Sequence, residues 1–223
     1  MPMKPEEYID VTPEKNHYSL EHFVIPKHYE KDVSSILIPH GVIMDRIQKL
    51  ARLIVDDTTG PLGMLFHIVC CILKGGHQYF ADLVNQIKAL TKNNGMSVPL
   101  SLEFIRVKSY KNDQSEGVTI SMSEAECREL EGKNLLIVED IIDTGNTMVK
   151  LLKRLEDFKP KSVRVTSLLV KKTERSNGYI PDYVGFAIPD AFVVGYALDY
   201  NEYFRDLDHI CVISEHGKQA YAI

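Results

Sequence analysis

Apolar positions along the chain follow two rhythms. Met64 to Leu73, Leu135 to Val138 and Val163 to Val170 are short runs with few polar members. Runs of that length suit strands of a parallel sheet buried on both faces. Elsewhere the spacing is helical: Ile43, Ile47, Leu50, Leu53 and Ile54; Phe80, Leu83, Val84 and Ile87; Met148, Leu151, Leu152 and Leu155. These predict helices over 43–55, 77–90 and 148–158. Leu100 to Val107 alternates weakly and predicts a further strand, and Ile36 to Gly41 a short extended segment and turn. Alternating strands and helices predict an α/β fold with a mostly parallel central sheet flanked by helices. Between these elements, 57–63 and 109–115 read as polar loops. Ser123 and Glu126 have the spacing of a capping box. Residues 1–17 are polar, carry Pro2, Pro5 and Pro13, and are expected to be loosely ordered, with one domain over 18–223.

Composition narrows the class. The 223 residues are 44% hydrophobic with a net charge of −5, and no basic tract gives the footprint of a nucleic-acid binder. Cys70, Cys71, Cys127 and Cys211 form neither a Cys-x-x-Cys pair nor a zinc pattern, which fits a reduced, cytoplasmic setting. Cys70 and Cys71 sit in an apolar run and read as buried strand residues. The first residues are too polar for a signal peptide, and the longest apolar run is about half what a bilayer requires, so no membrane association is expected.

The chemistry concentrates in Leu135 to Thr147, LLIVEDIIDTGNT. An apolar strand ends in Glu139 and Asp140, then come Ile141, Asp143 and the turn Thr144-Gly145-Asn146-Thr147, which opens the helix over 148–158. Ligands of open α/β sheets bind at the carboxyl ends of strands. Hydroxyls and backbone N–H groups at a helix N-terminus favour phosphate. Three carboxylates beside a phosphate need other work. Two adjacent ones can accept hydrogen bonds from a vicinal diol or assist a divalent cation. A ribose 5-phosphate offers the diol and the phosphate together. A second anion cradle is Lys74-Gly75-Gly76, between the strand ending at Leu73 and the helix over 77–90.

Together these stretches resemble the type I phosphoribosyltransferases, and within them the hypoxanthine-guanine phosphoribosyltransferase family, over nearly the whole chain from about Phe23. The resemblance implies a small hood built from both chain ends. It also implies Mg²⁺-dependent transfer of 5-phosphoribosyl from phosphoribosyl pyrophosphate to hypoxanthine or guanine, giving IMP or GMP and pyrophosphate. Asp143 would exchange a proton with purine N7. Glu139 and Asp140 would hold the ribose, Thr144 to Thr147 the 5-phosphate, and Lys74 and Gly75 pyrophosphate. A non-proline cis peptide is expected before Lys74. Ser109 and Tyr110 would belong to a lid that excludes water. Lys171, unlike Lys172, would donate to the purine 6-oxygen. Phe192 and Ile141 would sandwich the base, and backbone groups around Val193 would read its edge. Asp199 would join Glu139 and Asp140 at the metal, and Arg205 would pair with pyrophosphate. By the same analogy a homodimer or homotetramer is expected.

Several positions depart from the family pattern. Asn146 and Ala191 stand where relatives carry Lys, and Ser123 to Glu126 replaces a Gly-Gly-Asp-Asp-like turn. Tyr183, Phe186 and Tyr196 are expected in the core rather than at the site. The chain lacks the Gly-x-Gly-x-x-Gly of a dinucleotide-binding dehydrogenase and the Gly-Lys-Ser/Thr of a P-loop. A nucleotide-binding regulator without catalysis, on the same fold, is the remaining alternative.

Overall fold

A computed structural model of the chain describes residues 2–4, 7–13, 17–59, 66–93, 100–112 and 115–223. Its central sheet has seven strands in the order β1-β8-β7-β6-β3-β4-β5: β1 Ile9–Asp10, β3 Ile68–Leu73, β4 Ser101–Asn112, β5 Ser115–Ile120, β6 Asn134–Ile142, β7 Ser162–Lys172 and β8 Tyr183–Pro189. Every neighbouring pair is parallel except β4 and β5, which form an antiparallel hairpin. A separate three-stranded antiparallel sheet takes β2 (Val33–Ile38) from early in the chain and β9 (Val193–Val194) and β10 (Ile210–Ile213) from late in it.

The unbroken apolar runs are explained by burial on two sides. Along β3, Ile68, Cys70 and Ile72 face one hydrophobic cluster while Val69 and Cys71 face the other. Along β6, Leu135 and Ile137 alternate in the same way with Leu136 and Val138. One cluster is closed by α1 (His40–Thr59) and α2 (His77–Asn93), the other by α4 (Asn146–Glu156), which contributes Met148, Leu151 and Leu155. The four cysteines are buried and free. Tyr183, Phe186 and Tyr196 are core residues, as expected. Among the described residues no helix is long and apolar enough to cross a membrane.

Several boundaries differ from the sequence expectation. The helix predicted over 43–55 starts at His40 and continues to Thr59, so His40 and Gly41 are helical rather than turn, and Asp57 to Thr59 helical rather than loop. Tyr183 donates a hydrogen bond to Asp57 there and ties the last turn to β8. Gly60, Pro61 and Gly63 lie outside the described residues. The strand predicted over 64–73 begins at Ile68, and Met64 and Leu65 lie outside the described residues. The predicted loop over 109–115 is strand as far as Asn112, with Ser109 opposite Val118 and Tyr110 opposite Gly117. The side chains of Ser109 and Tyr110, and residues 113–114, are outside what is described. The expected capping box forms: Ser123 accepts from the Glu126 backbone N–H and Glu126 accepts from that of Ser123, opening α3 (Glu124–Arg128).

The stretch expected to be loosely ordered over 1–17 includes a sheet strand. Ile9 and Asp10 pair with Phe186 and Ala187 of β8. The buried Arg46 guanidinium holds this segment in place, donating to the carbonyl oxygens of Glu7, Val184 and Gly185.

Candidate active site

The carboxyl ends of β3, β6 and β7 lie side by side, because β6 pairs with both of the others. They deliver Lys74, the Glu139–Asp143 segment and Lys171 to one edge of the sheet. Glu139 and Asp140 are half-buried. Asp140 leans against the β3 turn so closely that a Cβ on Gly75 would overlap its carboxylate. Glycine there is a requirement of space. The Leu73–Lys74 peptide is cis, as the resemblance implies.

Burial pushes the Glu139 carboxyl well above its usual range, and the neighbouring Asp140 charge adds to this. Burial also raises Asp140, opposed by its hydrogen bonds and by the Arg205 guanidinium. Two adjacent carboxyls that resist ionisation are relieved by hydroxyl donors or a cation. The same effect costs stability. A carboxyl raised in the folded state but ordinary in the unfolded one destabilises the fold increasingly as pH climbs from the unfolded value towards the folded one. Glu139→Gln is therefore expected to raise Tm at pH 8 by more than about 2 °C, the shift that ~1 kcal/mol gives in a chain of this size. The gain should shrink at pH 5. Thermal unfolding at both pH values reads this out, and an equal gain at the two would mean that Glu139 is an ordinary carboxylate.

Beyond β6, the turn 143–147 caps α4. Gly145 is in the left-handed region at φ 81°, and a side chain there would strike Asn177. Asn177 steadies this turn: its backbone N–H donates to the Thr144 carbonyl at 2.9 Å and its amide to Asn146 Oδ1 at 3.1 Å. Asn146 and Thr147 are exposed at the first turn of α4. A cavity of about 190 Å³ opens here, walled by Glu139, Ile141, Asp143, Thr144, Gly145 and Thr147 among others. That is below the roughly 300–1,000 Å³ of a complete small-molecule pocket, so it accommodates one end of a ligand. A larger cavity of about 680 Å³ lies between β5, α3 and α4 and contains none of the predicted site residues.

Lys171 is not a solvated strand-end lysine. Its side chain is only 10% exposed, with Nζ 3.6 Å from Asp143 Oδ2 and 6.0 Å from the Phe192 ring centroid. Lys172 faces the other way, onto Asp10 at 2.6 Å, and lowers the Asp10 carboxyl to about 2. Phe192 is 43% exposed and meets Tyr200 edge to face. Val193 is buried in β9, its neighbour Phe192 accepting from the Ile213 N–H.

Asp199 and Arg205 form an ion pair at 2.8 Å. Lys74 reaches the same cluster through Glu202, at 2.6 Å. Among the described residues no three His, Cys, Asp or Glu side chains gather as a metal cage. Glu139, Asp140 and Asp199 therefore do not form a ready-made three-carboxylate site, since Asp199 is committed to Arg205 and to the Glu202 N–H. The oxygen donors of Glu139 and Asp140 suit a hard cation such as Mg²⁺, which is usually held by one or two carboxylates plus substrate phosphates rather than by a cage.

Sequence reasoning missed three residues. Arg175 lies 3.3 Å from Asp143 and 3.0 Å from Asp190. Nothing in its surroundings in the chain marks it, because the contact spans a loop. Asn177 is equally unmarked. Glu202 could have been found: Asp199, Glu202 and Arg205 are three residues apart in a segment already singled out.

Residues 35–201 match the phosphoribosyl transferase domain family. The chain is 57% identical over 205 residues to the hypoxanthine-guanine phosphoribosyltransferase of Pan troglodytes and 56% identical to that of Homo sapiens, with 92% of each chain covered. It is also similar to a crystal structure of hypoxanthine-guanine phosphoribosyltransferase from Schistosoma mansoni in complex with IMP. There the TM-score is 0.83 and the identity 39%, covering 97% of this chain and 100% of that one.

Proposed function

We infer the reaction from kinship: the chain belongs to the hypoxanthine-guanine phosphoribosyltransferase family. It transfers the 5-phosphoribosyl group of phosphoribosyl pyrophosphate to hypoxanthine or guanine in purine salvage, forming IMP or GMP and releasing pyrophosphate. The observation that carries this reading is the near full-length likeness to enzymes of that name. The arrangement of groups along the sheet edge supports the roles.

Thr144 to Thr147, at the N-terminus of α4, cradle the 5-phosphate through backbone N–H groups and hydroxyls. Asn146, neutral where relatives carry Lys, leaves this cradle one charge short. Glu139 and Asp140 accept from the ribose hydroxyls and stabilise positive charge developing at C1. Asp143 holds the proton exchanged with purine N7, and Lys171 donates to the 6-oxygen. Phe192 and Ile141 flank the base, and Val193 presents backbone to its edge. Lys74, Gly75 and Arg205 receive the pyrophosphate. The β4–β5 hairpin, with Ser109 and Tyr110, covers the reacting centre against water. The β2-β10-β9 sheet serves as the hood over the single domain 18–223.

The family implies a divalent metal, and Mg²⁺ is our assignment, arriving with the substrate. When bound it offsets negative charge on the leaving pyrophosphate. Glu139 and Asp140 would hold it, and Asp199 would join them only by giving up Arg205. We also assign a cytoplasmic location and a homodimer or homotetramer.

The test is an incubation of protein, Mg²⁺ and phosphoribosyl pyrophosphate with hypoxanthine, guanine or adenine, followed by chromatography. IMP and GMP are expected, and AMP only in trace. Bound IMP without any turnover would instead identify a nucleotide-binding regulator.

A further inference from the structure

Glu202 sits at the one point where the two cations assigned to pyrophosphate meet. Its Oε1 accepts from Lys74 Nζ at 2.6 Å, and its Oε2 from Arg205 Nη2 at 3.0 Å. Glu202 lies 128 positions from Lys74 in the chain, so it joins a cation on the turn after β3 to one on the segment after β9. Arg205 is already supplied with partners, Asp199 at 2.8 Å and the Ala197 carbonyl at 2.7 Å, so Glu202 is not needed to satisfy it.

The backbone at Glu202 is left-handed as well, as it is at Tyr196, Ala197, Asn201 and Phe204 of the same segment. Tyr200 and Tyr203 pair across a two-residue turn whose central residues, Asn201 and Glu202, have φ of 51° and 71°. Such a turn is ordinarily filled by Asn and Gly, and a glutamate in the left-handed region is unfavourable. A residue kept where its backbone preference opposes it points to a role for its side chain. Lys74 and Glu202 are also 56% and 61% exposed, and ion pairs so open to water are weak enough to be displaced.

We propose that Glu202 is an internal competitor of pyrophosphate: its carboxylate occupies Lys74 and Arg205 together, and the polyphosphate must displace it from both. The proposal rests on the assignment of Lys74 and Arg205 made above. A carboxylate bridging two cations presents them with the same chemistry as two phosphate oxygens of a polyphosphate. Only the fraction of molecules in which Glu202 has let go is competent to bind, so the apparent affinity is reduced by that fraction. The same carboxylate re-forms its contacts as pyrophosphate leaves, which speeds release of a tightly held product.

Titration calorimetry of the full-length protein with inorganic pyrophosphate, with and without Mg²⁺, tests this. Glu202→Gln removes the charge and keeps the size. Glu202→Asn withdraws the group and suits the left-handed turn. In both, Kd for pyrophosphate and KM for phosphoribosyl pyrophosphate are expected to fall about 3- to 10-fold, the scale of one screened charge contact. Kd for IMP, which brings no pyrophosphate, should stay within about twofold. A purely structural role would alter Tm and both ligands alike. Unchanged or weaker pyrophosphate binding in both variants, with IMP binding intact, overturns the proposal. If Lys74→Gln binds pyrophosphate as the wild type does, the assignment of Lys74 itself falls, and the proposal with it.

Discussion

Replacing Asp143 by Asn is expected to lower kcat by about 10²- to 10⁴-fold, the usual contribution of a general acid or base. Asn has nearly the same shape, so the turn into α4 should persist, but its amide cannot take the proton from purine N7. The surroundings suit the role. Asp143 borders the cavity walled also by Thr144, Gly145 and Thr147, and its two oxygens face Lys171 and Arg175. Those cations fix where the carboxylate points. Losing these ion pairs should cost some stability, because Lys171 would keep a charge in a nearly buried position without its partner. IMP binding and Tm measured beside kcat separate the two effects. Turnover within a few-fold of wild type would leave Asp143 a purely structural anchor for Lys171.

The second large effect concerns base choice. Lys171 carries only donors, and a nearly buried ammonium beside Phe192 suits the 6-oxygen of hypoxanthine and guanine. Adenine would present its amino group there, donor against donor. Mismatches of this kind reach about 10⁴-fold discrimination. Lys171→Gln offers an amide that can donate or accept. It should lose activity on hypoxanthine and guanine and narrow the gap to adenine by at least about tenfold. Lys172→Gln should leave the preference alone, since its partner is Asp10 on the far face. The measurement is kcat/KM for the three bases in each protein. An unchanged preference in both would shift the discrimination to the backbone around Val193. Because Lys171 and Asp143 touch, their effects will not add, and the double variant measures their coupling.

What the sequence made legible was whatever depends on local order. Strand, turn and helix around 135–158 follow from an apolar run, a Thr-Gly-Asn-Thr turn and helical spacing. Lys171 and Lys172 could be told apart because neighbours on a strand face opposite sides, and they do. What depends on backbone pairing was hidden. Ser109 to Asn112 read as loop because their side chains are polar, yet a hairpin is joined through backbone groups that every residue there supplies. Ile9 and Asp10 were hidden for the same reason. Contacts between distant segments, such as Arg175 with Asp143 or Glu202 with Lys74, leave no periodicity behind.

The short strand β1 has a consequence for handling the protein. It covers Phe186 and Ala187 on β8, an apolar strand that among the described residues has no other strand paired on that side. Removing the first eleven residues would uncover that edge, take the Glu7 carbonyl from Arg46 and free Lys172. A bare apolar edge recruits strands from other molecules. A truncated protein should therefore first betray itself in light scattering, as concentration-dependent clumping, while the molecules still dispersed go on turning over substrate.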